Sequence, residues 1–183
     1  MKRSFILLAT IITLLMGSIA SAQTPPAAQP AAQPANPLSA EVKGAYTNVK
    51  NNFLKAAEKM PEESYGFKAS AELQSFSERV AHIADANVRT CAALKGEQKS
   101  VNAAAKTTKA DMVAALKESF TYCDAAYDSL TDTEAVKIVA TGRGQRSRLA
   151  ALWGVVSHSN EVYGTMTVYL RLKGIVPPSS EGR

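Results

Sequence analysis

The chain has 183 residues, with 21 Lys and Arg against 16 Asp and Glu, a formal charge of +5 and a mean hydropathy of −0.10. That length supports one domain with a real core. The basic excess is small and interspersed with acids, unlike the long basic stripe of a nucleic-acid binder, so nucleic acid is not an expected partner.

Lys2 and Arg3 give a positive start, Phe5 to Met16 form an apolar run, and Ala20-Ser21-Ala22 makes an A-x-A cleavage site before Gln23. The run is too short to span a bilayer, which takes about 20 apolar residues as a helix, so residues 1–22 read as a secretory signal peptide. The expected product is exported, periplasmic or secreted, without stable membrane insertion once the signal is gone. Losing Lys2 and Arg3 leaves a formal charge of 5 − 2 = +3. Residues 23–38 form a Pro/Ala/Gln-rich linker with an AAQP repeat, a composition that favours extended polyproline-like chain and buries no core. The folded domain is then expected over 39–180.

No proline occurs between Pro61 and Pro177, and the intervening chain is rich in good helix formers. Apolar residues at helical period mark four helices. The first, about 40–60, carries Val42, Tyr46, Val49, Phe53, Ala56 and Met60, with Ser39 as N-cap and Pro61 as stop. The second, about 71–95, carries Leu73, Phe76, Val80, Ile83, Asn87, Cys91 and Leu94, and Gly96 ends it. The third, about 109–130, carries Met112, Leu116, Phe120, Cys123, Tyr127 and Leu130, with Thr108 and Asp111 resembling a capping box. Glycines 142 and 144 close the segment that follows, and the arginines at 143, 146 and 148 read as a solvated loop and helix start. The fourth helix, about 146–173, carries Leu149, Trp153, Val156, Tyr163 and Leu170, and closes on Gly174 before Pro177-Pro178. No strand alternation is apparent. The fold class is all-α, a four-helix bundle.

Cys91 and Cys123 are the only cysteines. An even pair in an exported chain points to a disulfide; the alternative is two buried thiols. Each sits on its helix's apolar stripe, at a similar height above the helix end. At 1.5 Å rise per residue, parallel helices would offset the two by only about 3 Å, and an antiparallel hairpin by roughly 15 Å. Since bonded Cα atoms must lie within about 7 Å, a disulfide requires helices two and three to run parallel. The 96–107 connection is long enough to cross back.

FSERVAHIADAN (76–87), with His82, and HSNEVYGTMTVYLRLKGIVPPSS (158–180), with His158, resemble the DinB-like family of four-helix-bundle proteins. The resemblance implies an up-down-down-up bundle with helices two and three parallel. It also implies a divalent metal, zinc or nickel, held by one His on the second helix and an H-x-x-x-H pair on the fourth. By that match His82 and His158 take the first two ligand positions, and Val162 stands at the third, where it has no lone pair to offer. Glu161, about 100° away around the helix, is the neighbour that could substitute, given local distortion. Asp85, three residues from His82, reads as a solvated carboxylate.

The family further implies metal-dependent, thiol-transfer-like chemistry on small molecules, here weakened by the missing imidazole. The alternative is a non-catalytic periplasmic module that binds a small-molecule ligand or a protein. No catalytic residue can be named from the sequence, and it leaves open whether the chain dimerises with itself.

Overall fold

The computed structural model describes residues 35–182 except Arg143. The signal-peptide reading of 1–22, and all of the linker reading up to residue 34, lie outside the described residues. Helix α1 (Pro37–Lys59) opens on a proline, whose fixed φ suits the first helical position and whose missing N–H needs no partner there. The helix therefore starts two residues before Ser39, which is not its cap. Instead the Ser39 backbone N–H and hydroxyl both donate to the Asp132 carboxylate, at 2.8 and 2.7 Å. Leu38 N–H donates to the other carboxylate oxygen, and Asp132 N–H donates back to the Asn36 side chain. The orphan amides of the first turn of α1 thus find an anion from across the molecule.

Helix α2 (Phe76–Ala93) begins later than the apolar period suggests. Ser75 accepts the Glu78 N–H and the Glu78 carboxylate accepts the Ser75 N–H, a complete capping box. That reciprocal pair fixes the start at 76. Leu73 falls outside the helix and is 38% exposed, which corrects its placement on the core stripe. The chain after α2 reaches α3 (Lys109–Asp128) through a short 3-10 turn, Ala103–Ala105. Asp85 holds this crossover: its two carboxylate oxygens accept the N–H groups of Ala103 and Ala104 at 2.9 and 3.1 Å.

Helices α2 and α3 are parallel. Ser119 donates to the Ala84 carbonyl at 2.7 Å, and Cys91 and Cys123 are bonded with Cα atoms 5.4 Å apart, so contacts climb both helices together. A one-turn helix, α4 (Asp132–Ala135), leads into two four-residue strands, β1 (Ile138–Thr141) and β2 (Gly144–Ser147). They pair antiparallel with Ile138 opposite Ser147 and Thr141 opposite Gly144. The sequence reading had no strand here. Each strand is shorter than one period-2 signal needs, and its glycines read as segment ends.

Ser147 then caps α5 (Arg148–Leu172) by accepting the Ala150 N–H. Tyr127 on α3 donates to the Leu152 carbonyl of α5, and Lys43 and Lys50 on α1 pair with Asp128 and Asp124 on α3. Together these contacts give the up-down-down-up bundle, with α1 and α5 antiparallel to α2 and α3. Tyr46, Phe53, Phe120 and Tyr127 fill its centre, with Tyr46 stacked on Tyr127 at 3.7 Å between ring centroids. Trp153 is not part of this core: it is 51% exposed on the outer side of α5. Among the described residues no helix is long and apolar enough to cross a membrane.

Candidate functional site

Helices α2 and α5 lie side by side in opposite directions. Near the start of α2, the Tyr169 hydroxyl donates to the Gln74 carbonyl, and the Arg79 guanidinium lies 5.4 Å from the Tyr169 ring centre. Farther along, the buried Asn87 amide donates to the Ser159 hydroxyl at 3.3 Å. Between these two ties sit the only histidines of the chain. Their Nε2 atoms are 2.8 Å apart and their rings are nearly perpendicular, at 83°.

One Nε2 must donate and the other accept, so the pair shares a proton between opposite tautomers. Partial burial, then the neighbouring His158 imidazole and the Arg89 and Arg79 guanidiniums, hold His82 below the usual imidazole pKa, with Asp85 opposing.

The pair opens onto a cleft of about 360 Å³ between α2, α5 and the β1–β2 turn. On α2 the lining residues Ala86, Thr90 and Ala93 follow His82 at helical spacing, with Asn87 and Arg89 beside them. On α5 the residues Ala151, Gly154 and Val155 precede His158. Small side chains on both helices make the space. Arg146 reaches in from β2, and its Nη1 lies 3.4 Å from where a Cβ on Gly154 would stand. Arg146 is thus half-buried in the cleft wall, which corrects its reading as part of a solvated loop. The sequence reading also missed Arg89 and Thr90 as site residues. Their signal is the spacing of seven and eight from His82, which returns to the same helix face.

Two imidazole nitrogens converge, but the third expected donor does not exist. Val162 is buried at 6% exposure and gives that position an apolar side chain. Glu161 is 81% exposed, and its Oε2 lies 3.7 Å from His158 Nδ1, on the ring nitrogen that faces away from His82. There it can orient the imidazole as an outer partner, while standing apart from the Nε2 pair. His82 and His158, with Nε2 atoms 2.8 Å apart, are the residues that would hold a divalent ion, each through its Nε2 lone pair once the proton between them is lost, and they do not make a three-imidazole centre.

Residues 45–166 match the DinB superfamily. The chain belongs to the DinB superfamily. Among solved structures, a DinB-like protein from Bacillus cereus ATCC 10987 is similar at 16% identity and a TM-score of 0.66, over 75% of this chain and 93% of that one. A DinB-like protein from Bacillus subtilis, YjoA, is similar at 18% identity and a TM-score of 0.59, over 73% and 92% respectively. At these identities the structural likeness speaks for the fold alone. No curated protein matches the chain. DinB proteins are generally metal-associated, yet in this member no group of three or more His, Cys, Asp or Glu side chains among the described residues could hold a metal ion. What this DinB protein does keep is the pair of facing imidazoles and the cleft above them.

Proposed function

We propose that this DinB protein is exported to the periplasm or secreted and that its cleft binds a small molecule over the His82–His158 pair. In this reading the family's metal-dependent, thiol-transfer-like chemistry is weakened to two imidazoles, and ligand binding is the retained role. The carrying observation is the 2.8 Å approach of two Nε2 atoms at the edge of an open cleft. Two polar rings brought together beside small residues would be an inefficient way to build a core. They offer a donor and an acceptor to something that enters. Any divalent ion held there needs its remaining ligands from water or the bound molecule, and would bind weakly.

The test is a thermal-shift screen of small molecules on untagged protein, repeated on His82→Ala and His158→Ala. Hits whose stabilisation disappears in both variants support the reading. Hits indifferent to both histidines, or none at all, would leave the bundle as a purely structural domain.

A further inference from the structure

The charges around the cleft are one-sided. Among the described residues its titratable lining, besides the two histidines, is Arg89 and Arg146, and neither guanidinium has a salt-bridge partner there. The carboxylates nearest the cleft residues along α2 and α5, Asp85 and Glu161, are turned to other partners. Asp85 gives both oxygens to the Ala103 and Ala104 amides on the α3 side of α2. Glu161 sits against the outer nitrogen of His158. Two unpaired guanidiniums at one cleft wall, Arg146 half-buried and Arg89 exposed, make an oxyanion receptor of defined geometry.

The position of Arg146 is built. β2 carries it over α5, where its guanidinium lies against Gly154, 3.4 Å from where a Cβ would stand. Because α2 and α5 are antiparallel, Arg89 and Gly154, with Arg146 against it, stand toward the same end of the cleft. His82 and Arg89 are seven residues apart, or about 10 Å along the helix, and His158 and Gly154 are four apart, or about 6 Å. Between the two ends the walls are Ala86 and Val155, with Asn87 beside them, and Thr90, Ala93 and Ala151 continue the walls beyond Arg89 and Gly154.

We infer that the ligand is a small organic oxyanion, with a carboxylate or phosphate head held by Arg89 and Arg146. Its apolar middle lies along Ala86 and Val155, and its far end meets the His82–His158 pair. This inference rests on the reading of the cleft as a small-molecule site and names the ligand's chemical class.

The experiment is calorimetric titration, at low ionic strength and neutral pH, of untagged protein expressed from the full chain. The probes are phenyl phosphate, phenylacetate and the neutral 2-phenylethanol. We expect at least one anionic probe to bind about tenfold or more tightly than the neutral one. Arg146→Gln and Arg89→Gln should each weaken that binding about fivefold or more, and Arg146→Lys should recover part of the loss. Lys117→Gln, on the far side of α3, should leave it unchanged. A preference for phenyl phosphate over phenylacetate would identify a phosphate monoester as the head, and the reverse a carboxylate.

Equal binding of charged and neutral probes, or indifference to both Arg→Gln variants, overturns the oxyanion inference. If such binding still disappears in His82→Ala, the cleft reading survives without it. If no probe binds and the histidine variants change nothing in the thermal-shift screen, both fall together. Circular dichroism of each variant separates lost binding from lost fold.

Discussion

Asp85 shows how far one residue's role can lie from its nearest neighbours in sequence. Three positions after His82, it looks like part of the same neighbourhood, yet the α-helix turns it toward the crossover, where two backbone amides claim it. Removing it leaves both amides short of an acceptor, so Asp85→Ala should lower stability by about 1–2 kcal/mol in urea unfolding. Ligand binding in the cleft should be spared. The histidines were legible because their flanking residues resemble a family pattern, and their helical positions then brought them together. Arg146 was not legible as a site residue. Its place depends on a hairpin that turns it back over α5 and on the space at Gly154, neither of which is a local property of the chain around it. Trp153 misled for a related reason: helical spacing alone put a large aromatic on a buried stripe, whereas it stands half-exposed on the outer side of α5.

The boundaries of elements were set by caps more than by apolar period. Ser75 and Glu78 form an S-x-x-E pattern that the apolar count passed over, and they outweigh Leu73, which that count assigns to the helix. Ser75→Ala should cost about 1 kcal/mol of stability, read by thermal or chemical unfolding. The same box has a pH signature. The Ser75 backbone N–H, and then the Ser75 side chain, hold Glu78 below the usual carboxylate pKa. A depressed folded-state pKa stabilises the protein above the unfolded value of 4.5, and that contribution is lost as pH falls through the folded value. Glu78→Gln should therefore remove part of the stability lost on acidification below about pH 4.5, and change little of the pH dependence between 6 and 8. Equal melting curves for both proteins across the acid range would mean that the carboxylate does not cap in solution. The β1–β2 hairpin stayed hidden because four residues per strand are too few to distinguish a half-exposed strand from a loop.

At the scale of the whole molecule, two cysteines on separate helices carried most of the topology. Their equal heights demanded parallel helices, and parallel neighbours demand a long return. The crossover supplies it, and Asp85 and the buried side chains of Val101 and Ala103 pin it down. The bond closes a loop with a sequence separation of 32. Loop-closure entropy for a ring of that size corresponds to about 3–4 kcal/mol. Reduction, or Cys91→Ser with Cys123→Ser, should lower the unfolding free energy by about that amount, and a melting temperature indifferent to reductant would argue that the thiols are unpaired in solution.

The bundle brings together two histidines 76 residues apart in sequence, and the family resemblance puts Val162 where a third imidazole would stand. The most direct measurement is zinc affinity of the untagged protein and of Val162→His, by calorimetry or competition with a chelating dye. We expect weak zinc binding in the natural chain and a gain of about a hundredfold or more in Val162→His, as the third imidazole completes the first shell. Tight, stoichiometric zinc in the natural chain that is lost in His158→Ala would contradict the two-imidazole account, and so would a Val162→His variant that folds and gains nothing.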